Sequence, residues 1–384
     1  MSEQPANPIV DTLRQKGSRL FAVDALRGLI IIFMALDHAN YFVAQKHPPG
    51  EIWDGVYPVY TSTLAFLTRW VTHLAAPGFF LLMGVGMMLF ARSRRERGWS
   101  RWAIIRHFLI RGAVLVGLQL LIVNRAWELS PQGWGVEIYI GVLCALGGTM
   151  ILSSLLLWLK PVYLLGLALA LLVGIEFLHP GLGMWNQVQH DPVNVILLRP
   201  GGTPALYSFY PMLPWLELVV FGLAVGSWLR DDPRKAFSRA WKLGLVFLLA
   251  FGIVRVFDGY GNIRPRMSDS WIDFLNPVKY PPSMAFTLMT TGVNLIFLWL
   301  FSLAGERVRR VLTPLVVFGK TPLLFYVLHL FLYLGIGYLV APRGTSIPIM
   351  YPFWLLGLLI LFPLCYAYGR FKQRQPVGSL LSFL

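Results

Sequence analysis

The chain has 384 residues, of which 56% are hydrophobic and only 13% are charged, and its mean hydropathy is +0.62. A soluble domain carries roughly 25% charged residues, so the composition excludes an ordinary soluble protein. The net charge of +15 could suggest a nucleic-acid partner. The positive charge is concentrated in short segments between apolar runs, however, which is typical of the cytoplasmic loops of membrane proteins. We therefore expect no nucleic-acid binding.

Apolar runs long enough to cross a bilayer recur along the whole chain. They predict an all-α fold, a polytopic membrane bundle of about ten transmembrane helices. The predicted spans are 20–43, 70–91, 106–124, 136–159, 161–178, 211–229, 241–258, 283–304, 312–340 and 352–369. The ninth span is long enough to tilt, or to break at Pro314 or Pro322.

The distribution of basic residues predicts the orientation of the bundle. Most of the 33 Lys and Arg residues lie near the N-terminus, in the tail, and in the loops after the second, sixth and eighth spans. By the positive-inside rule these segments are cytoplasmic. We thus predict a cytoplasmic segment at 1–19, a transmembrane domain at 20–370 and a cytoplasmic tail at 371–384, in the inner (plasma) membrane.

The two cysteines, Cys144 and Cys365, both lie inside apolar spans. They form neither a disulfide framework nor a pattern of metal-ligand spacing. We expect no metal.

Ionisable residues gather at the predicted outer level of the bundle. They are Asp37 and His38 at the end of the first span, His47 in the next loop, Arg69 and His73 at the start of the second span, and Glu217, Lys279 and His329. Each alone has an ordinary structural interpretation; Glu217, for example, could pair with Arg255. Together they predict a functional site, because ionisable groups in a membrane are costly and His transfers protons near neutral pH.

A second polar layer lies at the cytoplasmic level. Asp24 and Arg27 are spaced for an ion pair within one helix. Arg106 is close to the basic loop before the third span, which also fits a simple topology signal. Arg111 and Lys320 lie one or two turns inside their spans, where a cation suits a recessed polyanion such as a phosphate-bearing cofactor.

Five stretches resemble one known family. They are RLFAVDALRGLIIIFMALDH, TRWVTHLAAPGFFLLMG, YPMLPWLELVVFGLAVG, KYPPSMAFTLMTTG and VFGKTPLLFYVLHLFLYLG. In this order they resemble bacterial relatives of heparan-α-glucosaminide N-acetyltransferase, within a wider group of multi-span membrane acyltransferases. The resemblance runs over about residues 19 to 370.

The resemblance implies that acetyl-CoA or another acyl-CoA is the donor and that a sugar or glycan on the outer side of the membrane is the acceptor. It places His38 at the position where the heparan enzyme has Asn and His47 near that enzyme's loop histidine, which leaves open which of the two is the base. His38, oriented by Asp37, would act as a base or carry the acyl group itself, and Arg69 or His73 would stabilise the oxyanion. CoA would lie among the cations Arg27, Arg106, Arg111 and Lys320.

Two other classes stay open. A proton-coupled transporter of a small polar or sugar-like solute also places ionisable residues on broken helices. A non-catalytic scaffold or sensor could share the fold. The acceptor, the acyl chain length and the oligomeric state are open as well. We expect membrane lipid around the protein, and a homodimer is one expected assembly.

Overall fold

The computed structural model describes residues 8–48, 51, 57–131, 133, 135–178 and 191–375. Residues 1–7 of the predicted N-terminal segment and 376–384 of the predicted tail lie outside this part. Within it the chain is a helical bundle with three short strands. The prediction of an all-α polytopic membrane protein is confirmed.

The helices of the first half differ widely in length. They are α1 (Pro8–Ala39), α2 (Thr63–Thr72), α3 (Ala75–Glu96), α4 (Arg101–Leu118), α5 (Asn124–Glu128), α6 (Val142–Ser154), α7 (Pro161–Glu176) and α8 (Pro192–Leu197). Two π-helical segments, Asn40–Ala44 and Gln119–Val123, extend α1 and join α4 to α5.

The second half also contains both long and short helices. They are α9 (Met212–Asp231), α10 (Pro233–Phe257), α11 (Trp271–Phe274), α12 (Met284–Ser302), α13 (Glu306–Val311), α14 (Thr313–Lys320), α15 (Pro322–Val340) and α16 (Ile347–Gln373). The predicted tail therefore begins inside α16.

Three strands form a small sheet, β1 (Ile138–Ile140), β2 (Gly201–Gly202) and β3 (Leu206–Ser208), in the order β1-β3-β2. β1 pairs with β3 in parallel, with Tyr139 opposite Tyr207, and β2 pairs with β3 antiparallel. The predicted fourth span at 136–159 is wrong in its first residues, because they pair with β3 instead of continuing a helix.

Seven helical stretches of the described residues are long and apolar enough to cross a membrane, and they match seven of the ten predicted spans. The other three predicted positions hold α1, which carries charged residues at both ends, and the shorter apolar helices α6 and α7. The ninth span is broken as predicted. The break falls at Thr321, since the residue before a proline is disfavoured in helical conformation.

The long helices form inner and outer layers. In α9, 83% of the most apolar stretch is buried inside the protein, against 22% in α10 and in α16. Leu249 and Ile253 of α10 and Leu359 of α16 are among the exposed apolar side chains. Lipid covers such faces in a bilayer, so α10 and α16 form part of the outer layer.

A close crossing of α1 and α14 positions two charges of the candidate site. Gly28 and Gly319 meet there, and a Cβ at Gly319 would overlap the Asp24 carbonyl oxygen. Only glycines permit backbones to approach this closely. The crossing brings Lys320, the residue after Gly319, beside Arg27.

Candidate active site

His38 is the penultimate residue of α1 and lies just before the π-helical segment Asn40–Ala44. Its Nδ1 is 2.6 Å from Nε2 of His329 on α15. His329 is completely buried, and its Nδ1 lies 2.9 Å from the carbonyl oxygen of Phe325. Single π-helical turns inside helices are frequent at functional sites, and here one follows His38.

Arg69 on α2 is the centre of a buried ion cluster. It is 1% exposed and donates through two nitrogens to both carboxylate oxygens of Glu51, and through the third to Asp37. The hydroxyl of Thr72 accepts a bond of 3.0 Å from the same guanidinium. A buried guanidinium requires such pairing, because an unpaired charge in the interior is strongly destabilising.

The same cluster sets the charge of Glu51. Burial alone would raise the pKa of the Glu51 carboxyl, but the Arg69 guanidinium outweighs burial and holds this pKa well below its usual range. Glu51 therefore stays ionised. The backbone of Glu51 is held as well, since its carbonyl oxygen accepts a hydrogen bond of 3.2 Å from the backbone N–H of Tyr280.

Two further histidines flank the ion cluster. Nε2 of His47 is 3.5 Å from Asp37, and Nε2 of His73 is 3.5 Å from Glu51. His73 is 2% exposed, whereas a quarter of the His47 side chain is exposed. The predicted outer-level set of Asp37, His38, His47, Arg69, His73 and His329 is therefore brought together in one place.

The role expected for Asp37 as the orienting partner of His38 does not fit this geometry. Asp37 accepts from Arg69 and Thr72, whereas His38 pairs with His329. Consecutive residues of a helix point about 100° apart, so the two side chains face different neighbours.

Lys279, in the segment before α12, is buried beside this cluster, with its ammonium 4.9 Å from the centre of the Tyr280 ring. Burial lowers the pKa of the Lys279 ammonium to about 8, and the charge of Arg69 acts in the same direction. A lysine that exchanges its proton near this pH is suited to donate a hydrogen bond to a developing negative charge.

One cavity of about 360 Å³ connects this cluster with the opposite polar layer. At one end, the His38 end, it is lined by Asp37, His38, Thr72, Tyr210 and Lys279. At the other, the Arg27 end, it is lined by Arg27, Arg111, Lys320 and Lys372. Arg27 and His38 lie eleven residues apart on α1, a rise of about 16 Å.

The middle of the cavity is apolar. Its lining there includes Met34, Phe79, Leu82, Leu143, Leu146 and Leu323. The cavity thus suits an elongated ligand whose central part carries no charge and whose two ends are polar.

The Arg27 end offers cations with unused hydrogen-bonding capacity. Arg27 is partly engaged, with bonds of 3.0 Å to Asp24 and to the Gly319 carbonyl oxygen. Nε of Arg111 is buried and has no hydrogen-bond partner among the described residues. Together with Lys320 and Lys372 these side chains fit a ligand that carries several phosphate charges.

Arg106 and Glu217 lie apart from this cavity. Arg106 is exposed on α4 and is not part of the lining. Glu217 is buried on α9 and accepts a hydrogen bond of 2.8 Å from Thr287. The partner suggested for it, Arg255, instead donates to Asn262 and to the carbonyl oxygens of Asp273 and Phe274.

Three residues of the site were not predicted from the sequence. Glu51 lies in a loop, where no helical periodicity indicates its position. Thr72 is an uncharged residue in an apolar run. In the sequence, Lys372 is one of the basic residues of the predicted cytoplasmic tail. It reaches the cavity because α16 extends to Gln373.

Among the described residues, no group of three or more His, Cys, Asp or Glu side chains is arranged to hold a metal ion.

A comparison with known proteins gives a match to one protein family. Residues 19–253 match the family described as heparan-alpha-glucosaminide N-acetyltransferase, catalytic. The chain belongs to this N-acetyltransferase family. Its members named heparan-alpha-glucosaminide N-acetyltransferase include a Mus musculus protein, 29% identical over 40% of this chain, and a Homo sapiens protein, 30% identical over 38% of it. The matched segments span about a fifth of those relatives' length, 21% and 20%.

The family match includes one part of the cavity and excludes another. Asp37 and His38 at the His38 end and Arg111 at the Arg27 end fall inside residues 19–253, as does the buried Arg69. The lining residues Lys279, Lys320 and Lys372, and the buried His329, fall beyond it. The chain is therefore a multi-pass membrane protein of this family.

Proposed function

We propose that this protein is a membrane acyltransferase that takes an acetyl group from acetyl-CoA at the Arg27 end and passes it to a sugar or glycan acceptor at the His38 end. The observation that carries the proposal is the cavity, because it joins a cluster of cations to His38 through an apolar middle. We further propose that the Arg27 end faces the cytoplasm of a cell whose inner (plasma) membrane holds the protein.

The proposed donor site is supported by the positive charge at the Arg27 end of the cavity. Arg27, Arg111, Lys320 and Lys372 would hold the phosphates of a nucleotide, with Arg111 donating from its unpartnered Nε. The apolar middle would enclose the uncharged arm of the donor. When bound, acetyl-CoA supplies an acetyl thioester at the His38 end.

The proposed acceptor site is supported by His38, which lines the other end of the cavity. His38 would take the proton from the acceptor's amine or hydroxyl as that atom bonds to the acyl carbon, and would return the proton to the departing sulfur. Lys279 and Tyr210, which line the same end, would donate hydrogen bonds to the negative charge that develops on the acyl oxygen. His47 and His73 contact the ion cluster instead, which makes them supports of the site.

The ion cluster would act as the scaffold of this end. Arg69 ties α1, through Asp37, to the loop after α1, through Glu51. Holding His38 and the acceptor in one geometry supplies part of the acceleration.

The proposal is tested with purified protein in detergent, acetyl-CoA and a panel of amino sugars that includes glucosamine, with thiol release as the readout. We expect turnover by the wild type and a loss of about 10²–10⁴ in kcat for His38→Gln, because a positioned base contributes this much.

The donor end is tested by a matched pair of arginines on α4. Arg111→Gln should raise the KM for acetyl-CoA about tenfold or more, the value of a lost charged hydrogen bond. Arg106→Gln, on the exposed face of the same helix, should leave the KM unchanged. If acetyl-CoA neither binds nor loses its acyl group, the proposal is wrong and a proton-coupled transporter becomes the better explanation of the cavity.

A further inference from the structure

His38 and His329 form the first part of a hydrogen-bonded chain that ends on the backbone. Nδ1 of His38 lies 2.6 Å from Nε2 of His329, and Nδ1 of His329 lies 2.9 Å from the Phe325 carbonyl oxygen. The ring of His329 is held in place by stacking on Phe325, at 5.3 Å between ring centres and an angle of 25°, and by the edges of Tyr326 and Tyr333.

The direction of this chain follows from its last member. A carbonyl oxygen only accepts hydrogen bonds, so Nδ1 of His329 carries a proton. In a neutral imidazole the other nitrogen is then an acceptor. The proton between the two histidines therefore belongs to Nδ1 of His38, and Nε2 of His38 is left unprotonated.

The opposite arrangement would require a charged His329. Both nitrogens of such a ring would donate, yet the side chain is completely buried, and it contacts a carbonyl oxygen, His38 and three aromatic rings. An imidazolium in such surroundings is costly. The neutral form is favoured.

We propose that His329 is a positioning residue that holds His38 in the tautomer with Nδ1 protonated and Nε2 free to face the cavity. The inference rests on the proposed role of His38 as the base. When His38 takes a proton on Nε2, its Nδ1–H remains bonded to Nε2 of His329, so the new positive charge has an acceptor already in place. His329 itself does not line the cavity.

Two substitutions separate positioning from packing. His329→Gln keeps an oxygen acceptor at about the place of Nε2, whereas His329→Met fills a similar volume without a good acceptor. We expect kcat within about tenfold of the wild type for the Gln variant and a loss of about 10²–10⁴ for the Met variant. The KM for acetyl-CoA should stay unchanged in both, because the Arg27 end is untouched. Equal kcat in the wild type and the Met variant overturns the inference.

A second readout does not depend on turnover. In protein labelled with ¹⁵N-histidine, the His38 signal is assigned by its absence in His38→Gln, and ¹⁵N–¹H correlation spectra show which ring nitrogen is protonated. We expect a protonated Nδ1 on His38 in the wild type and in His329→Gln. A protonated Nε2 in the wild type overturns the inference even if turnover is found. Absent turnover together with a protonated Nδ1 removes the proposed function and leaves the tautomer assignment standing.

Discussion

Arg69 pairs with two carboxylates inside the bundle, and its removal takes away the guanidinium to which both are bonded. The side chains of Arg69, Glu51 and Asp37 are 1%, 8% and 17% exposed. Breaking a buried ion pair by removing one partner costs about 3–5 kcal/mol. We therefore expect Arg69→Met to lower the thermal unfolding midpoint in detergent strongly, and Glu51→Gln in the same chain to restore part of the loss.

A matched control for this prediction is an arginine on the surface. Arg92 lies 3.0 Å from Asp231, with 39% and 57% of the two side chains exposed. Exposed pairs contribute about 0–1 kcal/mol, so Arg92→Met should change the midpoint little. Similar midpoints for the Arg69 and Arg92 variants would contradict the view that the cluster is electrostatically paired.

Lys279 makes stability depend on pH in a defined direction. Its pKa is lowered from 10.5 to about 8 in the folded protein, so between these pH values the unfolded chain holds the additional proton. The free energy of unfolding therefore rises as pH rises from about 8 toward 10.5. The upper bound of this gain is on the order of 3 kcal/mol, and below pH 8 the cost of the buried charge is fully present.

The measurement compares wild type and Lys279→Met by thermal unfolding between pH 7 and pH 10. Other titrating groups contribute equally to both curves, so the difference isolates Lys279. The variant should be the more stable protein near pH 7, and the wild type should approach it at high pH. A difference that does not change with pH would mean that Lys279 keeps an ordinary pKa.

Residue-level prediction succeeds where depth along an apolar helix can be counted. Such counting predicted that Asp37, His38 and Arg69 lie at the same depth in the membrane. In the structure Asp37 bonds to Arg69, and His38 bonds to His329. Counting gave no position for Glu51, because a loop has no helical period. The pairing of His38 with His329 joins residues 291 positions apart, and no local pattern encodes such a contact.

Among the elements, the crossing of α1 and α14 determines the geometry of the Arg27 end. A Cβ at Gly319 would overlap the Asp24 carbonyl oxygen, so Gly319→Ala must push α14 away from α1. The displacement would stretch the bond of 3.0 Å from Arg27 to the Gly319 carbonyl oxygen and move Lys320. We expect a lower unfolding midpoint together with weaker acetyl-CoA binding, measured by calorimetry.

Gly335 provides the control for this substitution. It lies on α15, and a Cβ there meets nothing within 4 Å. Because alanine favours helix over glycine by up to about 1 kcal/mol, Gly335→Ala should keep or raise the midpoint and leave binding unchanged. Weakened binding in both variants would show that the effect is not specific to the crossing.

Element boundaries were predictable where proline fixes the backbone. The break before Pro322 follows from the ring of proline and its effect on the preceding residue. The interruption between α2 and α3 at His73 and Leu74 has no such signal. The strand β1 was also missed, since its partner β3 lies 68 residues further along the chain.

At the scale of the whole molecule, the cavity gives one site access to two polar levels. The cations that we propose to bind the donor lie at the Arg27 end, and the proposed base lies at the His38 end. Under the proposed function, a donor from one side of the membrane and an acceptor from the other meet in this single cavity. This arrangement serves transfer across the membrane only if the Arg27 end faces the cytoplasm, which the positive-inside pattern predicts.

The orientation is tested with single cysteines and a maleimide that does not cross membranes. The native cysteines are buried, Cys144 at 1% and Cys365 at 0% exposure, so they give a low background. Met267 lies in the loop after α10 and is 65% exposed, so the Met267→Cys variant should be labelled in intact cells. Arg97→Cys, exposed between α3 and α4, should be labelled only after permeabilisation. The reverse pattern would place the donor cations outside the cell, away from the cytoplasmic acyl-CoA pool, and would contradict the proposed direction of transfer.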